Sequence, residues 1–353
     1  MKVTYLPDAE PRPRRIAVGT FDGVHLGHRE VIRGADTVLT FEPHPRAVVA
    51  PHAAPKLLTT LAAKADLVES LGVEELVVIP FDGAFSQRSA QEFIGQVLID
   101  QLGAAEVSVG ENFHFGHKAR GNPALLAAQD AFTTRVVGLV EVDGERMAQT
   151  AQDFIDHELV ERLGARSVSV GENFRFGNRA RGDAALLEQQ EGFVTRVSRL
   201  VEVDGEIISS THIRGLVAAG DVAAAARFLG APFHMRGTVA HGDKRGRTLG
   251  FPTANLVPDP KLVVPDHGIY ACRAHVDGET HIAATNVGVR PTFTTGRGLL
   301  VEAFLLDFEG DIYDHELRLD FLARLRGERR FDSVEALVEQ MDQDVVETRR
   351  IVT

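Results

Sequence analysis

A tandem repeat in the first half of the chain limits what this chain can fold into. Residues 91–145 recur as residues 152–206, without gaps and with roughly three positions in five identical. Two copies are too few for a solenoid, because a continuous solenoid core needs about three repeats or more. The pattern therefore predicts a duplication of about 61 residues inside one domain. Only one copy can occupy a given place in a parallel sheet.

Around the repeat, short apolar segments alternate with segments that predict helices. Buried strands are predicted at residues 16–18, 37–41 and 75–81, and an amphipathic helix at 58–71. The polar, Pro-rich first 15 residues predict an edge strand and a loop. This alternation of strands and helices is typical of a doubly wound parallel sheet.

The periodicity changes after the linker Gly230-Ala231-Pro232. From Phe233 onward, short alternating segments with frequent glycine predict an antiparallel β-barrel. Asp221 is predicted to cap a helix over 222–229 before the linker, and Ser333 to cap a final helix from Val334. The predicted fold class is therefore α/β plus β-barrel. The predicted domains are residues 1–230, with the duplicated segments inside, and residues 233–353.

The turn Gly19-Thr20-Phe21-Asp22-Gly23-Val24-His25-Leu26-Gly27-His28 joins the first apolar strand to the first helix. Open α/β sheets bind ligands at such turns. Gly23 and Gly27 let the backbone approach a ligand closely, and His25 and His28 are spaced so that both can face one phosphate. The turn predicts nucleotidyl transfer. The alternative is a tight turn with two surface histidines.

A second phosphate-binding candidate follows the repeat. Ser209, Ser210 and Thr211 can cap a helix and donate hydroxyls, and Arg214 adds a cation one turn later. The equivalent segment after the first copy lacks this pattern. An ordinary helix N-cap is the alternative.

In the second domain, residues 241–255 are rich in glycine and basic side chains. Such a loop can wrap a polyphosphate with backbone amides and neutralise it with Lys244 or Arg247. Thr253 and Asn255 lie two apart on an extended segment, so their oxygens point the same way, which suits Mg²⁺. A bare Gly-rich turn is the alternative.

Composition excludes several classes of protein. A net charge of −12 argues against a dedicated nucleic-acid or membrane-surface protein. The single cysteine, Cys272, excludes an internal disulfide and a multi-cysteine zinc site. No segment resembles a signal peptide or approaches the length of a membrane span. We therefore expect a cytoplasmic enzyme, and its oligomeric state stays open.

The order of motifs along the chain resembles that of a known family. These motifs are GTFDGVHLGH, TFEPHP, GENFRFG, ISSTHIR, GTVAHGDKRGRTLGFPTANL, ATNVGVRPTF and VEAFLLDFEGDIYDHELRLDFLARLRGERRF. Together they resemble the bacterial bifunctional riboflavin kinase/FMN adenylyltransferases, also called FAD synthetases. The resemblance covers nearly the whole chain. It implies a nucleotidyltransferase-like FMN adenylyltransferase domain followed by a riboflavin kinase barrel, which use ATP and Mg²⁺ to convert riboflavin to FMN and FMN to FAD.

The resemblance also implies roles for individual residues. It assigns His25 and His28 to the ATP phosphates, and Glu302 to the base that removes the proton from the riboflavin 5′-hydroxyl. Without the resemblance, Glu302 would be interpreted as a solvent-facing strand residue. In the kinase domain, Thr253 and Asn255 are expected to hold Mg²⁺ and phosphate. The other predicted ATP- or flavin-binding residues are Gly19, Phe21, Asp22, Gly23, Asn173, Ser209, Ser210, Thr211, Arg214, Gly242, Lys244, Arg247, Gly250 and Pro252.

The repeat leaves open which copy builds the adenylyltransferase site. The second copy has Arg175 and Arg179 where the first has His114 and Lys118, and it runs directly into the ISSTHIR segment. The hypothesis is therefore that the second copy, with Asn173, builds the site and that the first copy forms an appended lobe.

Three alternatives to a bifunctional enzyme remain at the level of sequence. The chain could be a riboflavin kinase alone, with an adenylyltransferase domain impaired by the duplication. It could be a non-catalytic flavin-binding or scaffolding protein. It could also be a different nucleotidyltransferase that uses the H-x-G-H turn, although this leaves the barrel motifs unexplained.

Overall fold

The computed structural model describes residues 1–137, 167–171, 175–176, 182–190, 194–198, 202–203, 206–241, 251–292 and 296–353. These residues belong to two compact units. The first unit comprises Met1–Pro55 and Leu61–Ile208, and the second comprises Lys56–Thr60 and Ser209–Thr353. The second unit thus begins earlier than the predicted domain boundary near residue 230.

A six-stranded sheet forms the centre of the first unit. Its strands are β1 (Lys2–Tyr5), β2 (Arg14–Val18), β3 (Thr37–Glu42), β4 (Glu75–Pro80), β5 (Ala104–Gly110) and β6 (Thr133–Val137). Their order across the sheet is β1-β4-β3-β2-β5-β6, and every neighbouring pair is parallel. The predicted parallel sheet and its edge strand β1 are confirmed. The strand order reverses between β2 and β5, and open α/β sheets bind ligands at this kind of switch point.

In its described residues, the first unit also contains short helices. They are α1 (Leu26–Ile32), α2 (Pro45–Val49), α3 (Leu61–Glu69), α4 (Gly83–Ser86), α5 (Ala90–Glu92), which continues as a π-helix over Phe93–Gln101, α6 (Pro123–Ala127) and α7 (Ala184–Glu188). Successive residues of one strand enter different cores: Ile16 packs with the core that contains Leu98, and Ala17 with the core that contains Val31 and Val68. Both faces of the sheet are therefore buried, as a doubly wound sheet requires.

The first copy of the repeat, not the second, completes the sheet. β5 and β6 both belong to it, and β5 pairs directly with β2. From the second copy, β7 (Ser167–Gly171) and β10 (Val194–Ser198) pair with each other in a separate parallel sheet. The remaining short strands are β8 (Arg175–Phe176), paired with β9 (Gly182–Asp183), and β11 (Glu202–Val203), paired with β12 (Glu206–Ile207). The hypothesis that the first copy is an appended lobe is wrong.

One buried position gives a physical reason why the first copy, and not the second, completes the sheet. Val97, in the π-helical segment, is 0% exposed and belongs to the core under the sheet. The equivalent residue of the second copy is Glu158. At the place of Val97, a carboxylate would lie among apolar side chains without a partner, which costs several kcal/mol. At this position the first copy fits the core, whereas the second copy carries an acidic residue.

A closed antiparallel barrel forms the centre of the second unit. Its strands are β13 (Phe233–Ala240), β14 (Ala254–Pro258), β15 (Gly268–Val276), β16 (Glu279–Thr292), β17 (Gly296–Leu305) and β18 (Glu316–Arg326). They close in the order β13-β14-β17-β16-β15-β18, which confirms the predicted barrel.

Among the described residues of the second unit, three helices accompany the barrel. They are α8 (Ser210–Ala218), α9 (Val222–Leu229) and α10 (Val334–Val352). Asp221 caps α9 and Ser333 caps α10, as predicted. Because α9 packs against β13 and β18, and α8 against α9, both helices belong with the barrel. In the part of the chain that the structure describes, no helix has the length and apolar character needed to cross a membrane.

Candidate active sites

The first candidate site lies in the turn that joins β2 to α1. His25 is the N-cap of α1, and its Nδ1 accepts a hydrogen bond from the backbone N–H of His28 at 3.2 Å. The two imidazole rings stack with their centroids 3.5 Å apart. Phe21 packs perpendicular to His28, with ring centroids 5.3 Å apart. The structure thus brings the two predicted histidines together at the carboxyl end of β2.

Burial keeps His28 neutral. The pKa of His28 lies well below the usual 6.5, first because burial disfavours the charged ring and then because His25 and Lys64 repel it. Its Nδ1 is buried and has no hydrogen-bond partner among the described residues. His28 is therefore suited to a hydrogen bond with a ligand rather than to an ion pair.

The backbone of this turn adopts unusual conformations. Phe21 and Val24 have φ values of 47° and 41°, in the left-handed region that bulky and β-branched residues rarely adopt. Gly23, with φ of 87°, supplies the conformation without steric cost. Asp22 is buried at 3% exposure. Such strain persists where the surrounding structure fixes the backbone, and it is common at functional sites.

The first copy of the repeat also holds the far end of α1. Arg135, on β6, donates hydrogen bonds from Nη2 to the carbonyl oxygens of Val31 and Arg33, both at 2.7 Å, and from Nη1 to that of Glu30 at 3.2 Å. The last carbonyls of a helix lack partners within the helix, and the guanidinium supplies them here. The first copy therefore both pairs with β2 and caps the helix that begins at His25.

The loop after β5 lies at the same edge of the sheet as the histidine turn, because the carboxyl ends of parallel strands meet at one edge. Asn112 follows β5 in this loop and is exposed. It is the first-copy equivalent of the predicted Asn173, which lies outside the described residues. The structure thus places an asparagine at the switch point, from the copy that was not predicted to supply it.

A series of phenylalanine rings continues from this loop. Successive ring centroids lie 5.8, 5.7, 6.4 and 5.3 Å apart along Phe41, Phe81, Phe85, Phe93 and Phe115. Phe113 stacks on the last of these, with ring centroids 5.5 Å apart. Of these rings, Phe81, Phe85 and Phe113 are only partly buried. Partly exposed rings of this kind give a planar aromatic ligand a surface to pack on.

The hydroxyl and arginine segment belongs to the second unit. Ser209 is the N-cap of α8, and its Oγ accepts a hydrogen bond from the backbone N–H of His212 at 3.2 Å. Arg214 donates from Nη2 to Oγ1 of Thr211 at 3.3 Å. The predicted helix cap is confirmed, and Ser210, the first residue of α8, is half-buried.

The barrel aligns three polar residues on neighbouring strands. Glu302, on β17, lies directly opposite Asn255 on β14 and Asn286 on β16. All three are half-buried, whereas their chain neighbours Ala303 and Thr285 are fully buried. Side chains alternate along a strand, so the three polar residues share the opposite face, where direct neighbours are about 5 Å apart. The predicted base and one predicted metal ligand are therefore adjacent.

Asn286 was not singled out from the sequence. Its Oδ1 is buried and has no hydrogen-bond partner among the described residues, so an oxygen beside Glu302 is available to a ligand. Thr253 is half-buried just before β14, and Pro252 is exposed. Within the described ranges, no group of three or more His, Cys, Asp or Glu residues is arranged to hold a metal ion. Predicted binding residues that lie outside those ranges are Gly242, Lys244, Arg247 and Gly250.

Sequence patterns gave weak signals for the residues that were missed. Asn286 lies inside the ATNVGVRPTF motif, but nothing in its spacing points to a ligand. Lys64 interrupts a largely apolar helical segment, which is most often a surface position. Asn112 could be recognised as the first-copy equivalent of Asn173. The second copy was preferred because of Arg175 and Arg179, and these residues do not determine which copy packs into the sheet.

A parallel sheet with a histidine turn at its switch point, together with a closed barrel that presents a carboxylate between two amides, defines a two-domain transferase. A sequence model described as FAD synthetase matches residues 8–151 and 130–212, and one described as riboflavin kinase matches residues 229–352. The chain belongs to the family of bifunctional riboflavin kinase/FMN adenylyltransferases. The second FAD synthetase match includes the whole second copy of the repeat.

Curated relatives match along nearly their full length. The bifunctional riboflavin kinase/FMN adenylyltransferase of Listeria monocytogenes is 31% identical over 95% of this chain and 91% of its own length. Those of Bacillus subtilis and Pseudomonas fluorescens are 32% and 33% identical with the same coverage. A solved structure described as a macrolide-efflux protein from Streptococcus pneumoniae aligns with a TM-score of 0.71 at 26% identity and covers 99% of both chains.

Proposed function

We propose that this chain phosphorylates riboflavin to FMN in its barrel unit and adenylylates FMN to FAD in its α/β unit, with ATP as the co-substrate of both steps. The observation that carries the proposal is the pairing of β5 with β2. The first copy of the repeat completes the sheet beside the histidine turn, so the duplication leaves the sheet uninterrupted. This favours the bifunctional enzyme over a riboflavin kinase with an impaired adenylyltransferase domain.

In the barrel, Glu302 acts as general base. It takes the proton of the riboflavin 5′-hydroxyl while that oxygen attacks the γ-phosphorus of ATP and ADP leaves. Thr253 and Asn255, together with Asn286, offer the neutral oxygens that Mg²⁺ accepts alongside water and phosphate. Mg²⁺ bound with ATP neutralises phosphate charge. The orphan Oδ1 of Asn286 fits this donor set, because it otherwise lacks a partner among the described residues.

In the α/β unit, a phosphate oxygen of FMN attacks the α-phosphorus of ATP, and pyrophosphate leaves. The protein mainly positions the reactants and stabilises negative charge. His25 and His28 are proposed to donate hydrogen bonds to the ATP phosphates. The resemblance also assigns the segment from Ser209 to Arg214 to ATP binding, and that assignment stays a prediction. The partly exposed phenylalanine rings give the flavin ring a surface on which to stack.

We further propose Asn112, rather than Asn173, as the asparagine of the adenylyltransferase site. Support comes from the place of β5 beside β2 and from the fit of Val97 in the core. We expect Asn112→Ala to lower FAD formation from FMN and Asn173→Ala to leave it near the wild-type rate. The opposite pattern would restore the second copy as the source of the site.

The first experiment is incubation of the purified protein with riboflavin, ATP and Mg²⁺, followed by chromatographic separation of riboflavin, FMN and FAD. We expect both FMN and FAD. FMN alone would confine activity to the barrel, and absence of both products would overturn the proposal. Flavin binding without turnover would identify a binding protein. A cytoplasmic location and the absence of nucleic-acid and membrane partners stay predictions from composition.

A further inference from the structure

Lys64 is a buried cation in contact with the histidine turn. It lies on α3 and is only 6% exposed. Its Nζ donates a hydrogen bond to the carbonyl oxygen of Thr20 at 2.7 Å and another to Oγ1 of Thr40 at 3.2 Å. Thr40, on β3, also donates from Oγ1 to the same Thr20 carbonyl at 3.2 Å. Three hydrogen bonds thus tie the turn to a helix and to the neighbouring strand.

The hydrogen bond from Lys64 to Thr20 fixes the backbone next to Phe21, a residue with positive φ. In a planar trans peptide, the carbonyl of one residue and the N–H of the next point in opposite directions. When Lys64 holds the Thr20 carbonyl, the N–H of Phe21 must point away from Lys64. Phe21 is also the first residue of the turn in the left-handed region, with φ of 47°. Lys64 therefore sets the direction of a backbone donor at the start of the strained segment.

The charge of Lys64 is not cancelled by a close partner. No carboxylate in the described part of the chain comes within 4 Å of its Nζ. Burial lowers the pKa of Lys64 from the usual 10.5, while the more distant Asp22 and Glu42 oppose that shift. Of the other groups that face it, His28 has its own pKa lowered in part by Lys64. Lys64 therefore places a buried amino group behind the turn, and the carboxylates of Asp22 and Glu42 favour its charged form.

We propose that Lys64 is a positioning residue for adenylyl transfer, which holds the histidine turn in its strained conformation and stabilises the negative charge of phosphate bound there. This role rests on the proposed adenylyltransferase function of the first unit. Lys64 acts through the Thr20 carbonyl and through its charge, and it is not assigned a contact with the reacting atoms.

The test compares Lys64→Met, which keeps the aliphatic stem without the charge, with Lys64→Arg, which keeps a charge. Lys2→Met, at an exposed position in the same unit, is the matched control. We expect Lys64→Met to lower kcat/KM for FAD formation from FMN by about tenfold or more, as loss of a hydrogen bond from a charged donor does. Lys2→Met should have no effect, and riboflavin phosphorylation should stay within twofold of wild type in all three variants.

The pH profile separates this role from a merely structural one. FAD formation by the wild type should decline at alkaline pH as Lys64 loses its proton, and Lys64→Arg should remove this decline because arginine does not titrate there. The other charged or titratable groups that act on Lys64 or on the turn are Asp22, Glu42, His25 and His28, and all four are the same in the wild type and in Lys64→Arg.

Two outcomes would overturn the role: a Lys64→Met enzyme within twofold of wild type, or the same alkaline limb in the wild type and in Lys64→Arg. If Lys64→Met fails to fold, as judged by circular dichroism, the comparison of alkaline limbs decides alone. A wild-type protein that forms FMN but no FAD would instead overturn the proposed function, and this role with it.

Discussion

Substitution of Val97 by glutamate, the residue at the equivalent position of the second copy, tests why the first copy occupies the sheet. Val97 is 0% exposed in the core under the sheet. Losing a fully buried valine side chain forfeits about 1.5–3 kcal/mol. Burying an unpartnered carboxyl group costs a further ~1–3 kcal/mol even when it is protonated. We expect the free energy of unfolding to fall by about 3–5 kcal/mol at pH 5, against a typical total of about 5–15 kcal/mol.

The loss should grow with pH. The unfolded chain releases the proton of the new carboxyl above its ordinary pKa of about 4.3, whereas burial makes the folded state retain it. The unfolded state then binds fewer protons than the folded state, so stability falls as pH rises. The expected slope is about 1.4 kcal/mol per pH unit for as long as the folded state keeps the group protonated.

The matched control is Gly95→Asp, because aspartate is the residue at the equivalent position of the second copy. Gly95 lies on the same helical segment as Val97, and a Cβ added there meets nothing within 4 Å. This variant introduces the same charge at an open position, so its unfolding free energy should stay within about 0.5 kcal/mol of wild type. Urea unfolding followed by far-ultraviolet circular dichroism at pH 5 and pH 7 provides the measurement. Equal stability of the two variants would refute the explanation from burial.

Three further predictions concern single side chains. Glu302→Gln should lower riboflavin phosphorylation by about 100-fold or more and leave FAD formation from added FMN intact; equal loss of both rates would argue against a base. Because burial, His25 and Lys64 keep the pKa of His28 below 6.5, the unfolded state takes up a proton that the folded state excludes. Thermal stability should therefore fall below pH 6.5, and less so in His28→Asn. Burial alone would raise the pKa of Glu75, but hydrogen bonds from Arg14 and other donors lower it. Glu75→Gln should therefore lower the free energy of unfolding by about 3 kcal/mol at neutral pH. This difference should shrink as acid protonates the wild-type carboxylate, and a difference that does not change with pH would contradict the prediction.

Local sequence patterns predicted the helices and strands, but not which copy of the repeat packs into the sheet. The strand before Gly19 and the caps Asp221 and Ser333 follow from short-range rules of periodicity and hydrogen bonding, and the structure confirms them. The choice between the copies depends on whether one side chain, at position 97 or 158, can enter a core assembled from distant segments. Sequence similarity between the copies gives no measure of that burial.

The candidate sites also contain one part that was predictable from the sequence and one part that was not. The histidine turn was predictable because all of its residues are contiguous, so their spacing limits their geometry. The adjacency of Glu302 to Asn286 depends on barrel register, and the contact of Lys64 with Thr20 joins residues 44 positions apart in the chain. Both arise only once the strands and helices have packed.

The completion of the sheet by the first copy also bears on how the chain is synthesised. Every strand of the sheet lies within residues 1–137, ahead of residues 152–206. During translation, N-terminal segments leave the ribosome first and begin to fold as they emerge. The nascent chain therefore has a complete set of sheet strands before the second copy is available to compete for the place beside β2. The order of the two copies along the gene then acts in the same direction as the burial of Val97.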